Sequence, residues 1–560
     1  MGTAMAKGHE GNKPAEFRNV IFLIPDGCSQ SIQTLARWYK WYTTEDEEKA
    51  GLTLDSMNAG MVVTHMADSV ITDSAAAATA FACGYKTSNG FVGVYPRPEG
   101  LLLNMVDDFE PDRAYAPLAS ILEAAKADGK ATGLVATSRI THATPAGFAA
   151  HVHDRNLPNV IMEHEVYNGL TVALGGGRRH LLPEEDCPNG VEGGYRSDCE
   201  NLEEVLLGRG YDVVTTKTEM DAVNVTADTK LWGAFAMSHM DSDIDRVYLA
   251  LEEPSLAEMT AKALEVLSQD DDGFFMMVEG SQVDWAGHNN DGIYMITDFL
   301  AFDDAVKVAV DFAKEDGDTL VVAFPDHNTG GMKIGHYYTP MHYTATTVEH
   351  LVEPFLGMQV TSELLADRVD DYYDSDLTAA VEHLWGIEIT QDDVDEIEAW
   401  AEDMDVGLHY AIAQVISHKY TVVGWTSHGH NGEDVPVWIY PQAAAIGVID
   451  DTDLPFLGQA GDLDALTEKL YVDVAQVFDD DDWSLVEIDD YGNLELQVND
   501  VRLPIDKDLA ICNGNEHRLG SLVVYAPMTE KVYIPEKAIS LINQCECKDK
   551  GKRHRHRKGH

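Results

Sequence analysis

The chain has 560 residues, 45% of them hydrophobic, enough for one large α/β domain with insertions or for three ordinary domains. No uninterrupted apolar run approaches the roughly 20 residues that span a bilayer. Acidic residues outnumber basic ones 96 to 39, and the formal charge of -57 excludes nucleic acid and anionic membranes as partners.

The acidity is spread through runs such as EDEE at 45–48, DDD at 270–272 and DDDD at 479–482, which alternate with apolar residues as on the surfaces of folded segments. Such a charge repels itself in dilute buffer and is screened in brine, where roughly molar salt shortens the screening length to about 3 Å. It also repels phosphate esters, so an anion site here needs strong local positive charge, and metal ions are the expected source.

Residues 1–16, opening MGTAMAKGHEGNKP, are expected to be disordered and to include a cloning scar. They hold no apolar core of the signal-peptide kind, and the expectation is a periplasmic or secreted protein whose signal has been removed. The first strand is VIFLI at 20–24, which runs into Pro25-Asp26-Gly27. VITDSAAAATA at 70–80 then sets an Asp-Ser pair before a block of alanines. Side-chain oxygens there accept the first free N–H groups of a helix, so the pair reads as a cap. The same helix start favours an anion, so it reads equally as the seat of a serine nucleophile.

A helix over 119–127 leads into a strand over 132–137, followed by THATPAGF and AAHVHDR. Arg155 in the second of these is a cation able to fork onto two phosphate oxygens. An amphipathic helix over 255–268 precedes the strand FFMMV at 274–278, which ends at Glu279. In the following SQVDWAGH, Asp284 and His288 at i, i+4 share one face of a helix and can bind one ion together. A further helix over 297–313 precedes the strand 319–324, which stops at Pro325-Asp326-His327.

Strands alternating with helices give an α/β fold, a three-layer sandwich with a large, mostly parallel central sheet flanked by helices. In such sheets ligands gather beyond the carboxyl ends of the strands, where Asp26, Glu279, Asp326 and His327 all fall. Residues 17–330 and 421–472 read as two parts of this core, and 331–420 as an acidic, helical insertion between them. Trp425 to Asp434, WTSHGHNGED, adds two imidazoles before a strand beginning at Val435. Mixtures of Asp and His with room for water suit catalytic zinc better than structural zinc. Residues 473–547 read as a small β-rich C-terminal extension, with alternation at 494–498 and 521–525, and 548–560 as a basic, His-rich tail.

There are seven cysteines. Cys187 and Cys199 bracket a short segment suited to a disulfide loop in an oxidising compartment, whereas Cys28, Cys83 and Cys512 read as buried thiols.

The order TDSAAAATA, HATPAGFAAHVHDR, VEGSQVDWAGH, PDH and HGHNGEDV resembles that of the alkaline phosphatases, over about residues 18–472. Trp285, and the large loop before the last motif, make it most similar to those of marine and halophilic bacteria. The resemblance implies a homodimeric hydrolase of phosphate monoesters with two zinc ions and one magnesium. It implies Ser74 as the phosphorylated nucleophile, Arg155 as the phosphate-binding arginine and Asp73 as the residue that orients Arg155. One zinc is implied at Asp284, His288 and His430, a second at Asp26, Asp326 and His327 beside Ser74, and magnesium at Asp26, Thr144 and Glu279. His142 and Trp285 stand next to that third position, and Trp285 brings no positive charge there. A sulfatase would carry Pro and Arg after its nucleophile, where Ser74 is followed by alanines; a phosphodiesterase, or a non-enzymatic acidic metal-binding surface protein, is the remaining alternative.

If the acidity is an adaptation to brine, the melting temperature should climb with NaCl concentration; a flat or falling series would contradict it.

Overall fold

The computed structural model describes residues 17–46, 50–102, 109–339, 341–403, 406–441, 447–450, 463–478, 483–489, 493–498, 501–512 and 515–555. The expected disordered start, the DDDD run at 479–482 and the end of the basic tail lie outside the described residues.

Ten strands form the central sheet: β1 Asn19–Pro25, β2 Asn58–Val63, β3 Ala131–Arg139, β4 Val172–Gly176, β5 Asp212–Val214, β6 Leu231–Ala234, β7 Phe274–Gly280, β8 Thr319–Ala323, β9 Val435–Tyr440 and β10 Gly447–Asp450. Their order is β10-β2-β9-β8-β1-β7-β3-β4-β6-β5. Neighbours are parallel except around β9, which runs antiparallel to both β2 and β8. The apolar runs of the sequence are the central strands, and successive side chains feed opposite faces. Ile21 and Leu23 of β1 join Met276 and Val278 of β7 in one buried cluster, while Phe22 and Ile24 join Phe275 and Met277 in another. Helices cover both faces, and the fold is the expected three-layer α/β sandwich.

The helices agree closely with the sequence pattern. Ser120 caps Ile121–Ala127 and Ser255 caps Leu256–Leu267, each through a reciprocal capping box with a glutamate. The expected 297–313 segment is the middle of a longer helix, Gly292–Asp316, which begins earlier because Asp291 accepts from Ile293 N and Tyr294 N. Between residues 348 and 420, five α-helices pack on one face of the sheet. Their Val352, Val381, Trp385, Ile397 and Ile416 join the same cluster as Ile21 and Leu23, so this segment shares the interior of the central sheet's core.

The C-terminal region holds a three-stranded and a five-stranded antiparallel sheet around a cluster of its own. Within the 521–525 pattern only Val524 and Tyr525 are strand, because Val523 exchanges hydrogen bonds with Asp506 and Lys507 instead. Buried polar contacts tie the region to the core. Lys507 Nζ is 3.0 Å from Glu200 and Arg209 donates to Asp508 at 2.7 Å, while at the region's border Tyr471 OH, packed in the core, lies 2.7 Å from His151 Nε2 and donates to Glu123. Cys187 and Cys199 are bonded, with Cα atoms 5.4 Å apart. Cys512, expected as a free thiol, is instead bonded to Cys545. The pairing joins the strand Leu509–Cys512 to the final helix, a contact between segments that spacing alone does not reveal. No helix of the described residues is long and apolar enough to cross a membrane.

Two short helices bring the site together: α1, Ser74–Cys83, and α2, Ala143–Ala149. They cross at Gly147, where an added Cβ would meet Ala78 Cβ at 2.7 Å and the Ala78 backbone at 3.1 Å. Neither neighbour can yield without moving a helix. Gly147→Ala is therefore expected to destabilise the protein by about 1–3 kcal/mol, read as a lowered denaturant midpoint, and to reduce activity by displacing α2 from α1.

Candidate active site

Ser74 is the first residue of α1 and is 2% exposed. Asp73 is the N-cap, accepting from Ala75 N at 3.4 Å and Ala76 N at 3.1 Å. Every residue of α1 is buried, and the alanines let the helix start lie close against its neighbours. The cap and the expected nucleophile are thus two adjacent residues. Ser74 Oγ lies 3.2 Å from His327 Nε2.

The strand ends supply the acids. β1 delivers Asp26, fully buried, and the turn that follows needs Gly27: φ is +70°, and a Cβ there would meet Thr329 Oγ1 at 2.7 Å and the Asp284 backbone at 2.8 Å. β8 delivers Asp326 and His327, both 0% exposed; Asp326 Oδ1 accepts from Gly27 N and His327 N, each at 3.0 Å. β7 delivers Glu279, whose Oε2 accepts from Ser281 Oγ at 2.6 Å and Ser138 Oγ at 3.2 Å. The helix α3, Gln282–Asn289, then presents Asp284 and His288, with His288 Nε2 3.4 Å from Asp284 Oδ2. His430 reaches the cluster through a two-residue antiparallel pairing with Thr329, and its Nδ1 lies 2.8 Å from the Thr72 carbonyl. His428 contributes its carbonyl to His288 Nδ1 at 2.7 Å, while its ring faces Tyr410.

Three sets of side chains each gather ligand atoms within 4.8 Å: Asp26 with Asp326 and His327, Asp26 with His142 and Glu279, and Asp284 with His327 and His430. Asp26 joins two sets and so links them. In the third set His327 stands where the sequence reading has His288; the His327 and His430 rings stack 3.6 Å apart, and His288 stays beside Asp284 at the rim. Thr144, in the first turn of α2, is fully buried with no hydrogen-bond partner for its hydroxyl.

The electrostatics follow from this crowding. Burial, then the charges of Asp326, Asp284 and Glu279, push the Asp26 carboxyl well above the usual range. Burial raises Glu279 to about 7. Asp284 moves the other way: burial opposes it, but the hydrogen bond and charge of His288 and the charges of His430 and His327 hold it well below the usual range. Burial, then His327, lowers His430 to about 4, and burial with Arg155 and Arg139 nearby keeps His142 neutral. Despite their burial, His288 and His327 are raised instead, by Asp284 and Asp326 respectively. Asp26 and Glu279, which resist ionising, beside His430 and His142, which resist protonation, are poised to accept a cation in place of protons.

Arg155 approaches from the other side. Its Nη1 donates to Asp73 Oδ2 at 3.0 Å and its Nη2 to His142 Nε2 at 3.2 Å. Ser74, His142, Arg155, Asp284, Trp285, His288, Asn289, Glu363 and His430 together line a cleft of about 340 Å³. The Trp285 ring packs edge-on 5.7 Å from that of His142.

Several participants escaped the sequence reading. Thr329 joins Asp284 and His327, donating to the first and lying 3.2 Å from the Nδ1 of the second. Ser138 and Ser281 hold Glu279; the position of Ser281, two residues past a strand-ending acid, was the available signal. Glu363, on a helix far along the chain, accepts from Asn289 Nδ2 at 2.9 Å, and nothing local marks it.

The family of alkaline phosphatases matches residues 17–459. The chain is 35% identical over 461 residues to alkaline phosphatase 3 of Bacillus subtilis, covering 80% of this chain and 88% of that protein. It is 33% identical over 460 residues to the repressible alkaline phosphatase of Saccharomyces cerevisiae, covering 76% of each. Among solved structures, the Thermus thermophilus alkaline phosphatase superposes with a TM-score of 0.67 at 27% identity, covering 80% of this chain and 92% of the other. A cold-active alkaline phosphatase from a psychrophilic Shewanella gives 0.63 at 27% identity, covering 80% and 99%. Fold and sequence together define a phosphoric monoester hydrolase. The chain belongs to the alkaline phosphatase family.

Asp73 has two separable tasks here. Asp73→Asn, which keeps a capping side chain, should leave stability nearly unchanged yet raise KM for p-nitrophenyl phosphate severalfold by releasing Arg155. Asp73→Ala should raise KM similarly and also cost about 1 kcal/mol in denaturant unfolding.

Proposed function

We propose that the enzyme cleaves phosphate monoesters through a phosphoseryl intermediate on Ser74, at a centre of two zinc ions and one magnesium. The supporting observation is a set of buried atoms beside Ser74 without hydrogen-bond partners, Asp26 Oδ2, Glu279 Oε1 and Thr144 Oγ1, next to Asp326 Oδ2 and Asp26 Oδ1, which share the single His327 Nε2 at 3.1 and 3.5 Å. Buried carboxylates left unpaired are costly unless they coordinate a metal. The donors suit the ions: imidazole with carboxylate for zinc, carboxylates and a hydroxyl for magnesium.

Asp284, His288 and His430 would hold one zinc, and Asp26, Asp326 and His327, with Ser74, the other. Asp26, Thr144 and Glu279 would hold magnesium, with His142 and Trp285 beside it. When bound, these ions supply positive charge that lowers the pKa of a serine hydroxyl or water and stabilises departing oxygens.

The protein's own groups do the rest. The start of α1, whose Ala75 and Ala76 N–H groups are taken by Asp73, offers the incoming phosphoryl group the helix's partial positive charge, and Arg155 forks onto two of its non-bridging oxygens while Asp73 and His142 fix the guanidinium. Ser74 Oγ gives up its proton to solvent and attacks phosphorus; the bond to the ester oxygen breaks, and the alkoxide that leaves with that electron pair takes a proton from solvent to become the alcohol. Water then loses a proton and attacks the phosphoserine, the bond from phosphorus to Ser74 Oγ breaks, Ser74 Oγ is reprotonated, and inorganic phosphate departs. Arg155 supplies the side-chain positive charge on the phosphate, because Trp285 adds none.

Two disulfides suit a periplasmic or secreted enzyme. The charge of -57 suits high salt. The assembly is proposed to be a homodimer.

Ser74→Ala is expected to reduce turnover of p-nitrophenyl phosphate by roughly three orders of magnitude or more. Dialysis against EDTA should abolish activity, and zinc with magnesium should restore it. Retained turnover in the variant would remove the phosphoserine step, and retained turnover after dialysis would remove the metals.

A further inference from the structure

In so acidic a chain the arginines mostly rest on carboxylates, as Arg37 does on Asp55, Arg97 on Asp68 and Arg178 on Glu203. Arg139 and Arg179 are exceptions: among the described residues neither forms an ion pair. Arg139 closes β3, at the carboxyl edge of the sheet. Its Nη1 lies 2.7 Å from His239 Nε2, and its backbone N–H points at His239 Nδ1 from 3.2 Å. A neutral imidazole accepts at only one nitrogen, so one of these contacts sets donor against donor. Arg139 Nε is buried without a partner. Arg179 lies over the Tyr195 ring at 4.5 Å, with its Nε 3.2 Å from His180 Nε2.

The two guanidiniums feel one another and the phosphate arginine. Burial, then Arg179, then Arg155, lower Arg139 to about 10, and burial, then Arg139 and Arg179, lower His239 to about 3. The connection to the active site is continuous. The His239 ring packs 4.4 Å from Trp285 and 5.5 Å from His142, whose Nε2 meets Arg155. Uncompensated, desolvated cationic donors with unmet hydrogen-bonding capacity are what an anion neutralises.

We propose that Arg139 and Arg179 form a second anion subsite, which takes the second phosphate of a bisphosphate whose scissile phosphoryl group is held at Arg155. The proposal rests on the reading of Ser74 and Arg155 given above. Two imidazole rings separate Arg155 from Arg139, so the two phosphates must be joined by a short carbon chain. In pyrophosphate they share one oxygen, which is too short a link.

The test compares kcat/KM of the metal-loaded enzyme for fructose 1,6-bisphosphate and for fructose 6-phosphate at low ionic strength. The wild type should favour the bisphosphate. Arg179→Gln and Arg139→Gln should each lower the bisphosphate-to-monophosphate ratio roughly tenfold, mainly through KM, and Arg139→Lys should give an intermediate ratio. A ratio within about twofold of wild type in both glutamine variants would overturn the subsite. So would an equal loss on both substrates, which marks a structural role. Wild-type enzyme inactive on both sugars would instead overturn the Ser74 and Arg155 reading on which the subsite stands.

Discussion

The constraint on which this structure turns is like-charge crowding out of water. Asp26, Asp326, Glu279 and Asp284 are all buried within one small volume, and their mutual repulsion is opposed by the backbone that carries them. Three of the four sit at the ends of adjacent strands: β1 pairs with β7 on one side and β8 on the other, each in parallel register over at least five residues. The sheet's hydrogen bonds and its two apolar faces fix those ends; the acids cannot drift apart without pulling the central strands out of register. Asp284 is held by a different means, in the first turn of α3 and against Thr329.

Around that knot the surrounding groups divide by charge. His327, His430 and His288 lie on the Asp284 side, and Arg155 crosses over the mouth to Asp73. The hydroxyls of Ser138, Ser281 and Thr329 satisfy one oxygen of an acid while leaving others open. A hydroxyl is well suited to this, because it adds no charge and can donate to whichever oxygen faces it. The carboxylate oxygens without partners are therefore a property of the whole neighbourhood, built from several separate chain segments.

Much of this was legible because it is local. An apolar run that stops at an acid marks a strand end, so Asp26, Glu279 and Asp326 stood out, and the i, i+4 spacing of Asp284 and His288 marked one helix face. Asp73 and Ser74 announced a helix start by their chemistry alone. What stayed hidden depends on meetings between distant segments. Thr329 lies across from His430 in a two-residue ladder, Glu363 reaches Asn289 from a helix 74 positions later, and Cys512 finds Cys545 across 33 residues. The position of Arg139 beside His239 is set by the neighbouring strand β4 and the loop after β6, and no spacing rule records it. The alternation at 521–525 marked the β-rich region but not the bounds of its strand, Val524–Ala526, since alternation reports which residues are buried but not which partner takes their backbone groups.

The contact of Tyr471 with Glu123 and His151 has a mechanical consequence. His151 begins the segment that ends at Arg155, and Val152 in that segment is bridged to Val92. Tyr471 lies beyond residue 459, where the match to the family ends, so a group from outside that region braces the loop carrying the phosphate arginine. Tyr471, the penultimate residue of the core's second part, acts as a buttress. By restricting the wandering of residues 151–155 it reduces the conformational entropy that Arg155 would lose on closing over an anion, although Tyr471 itself lies outside the cleft.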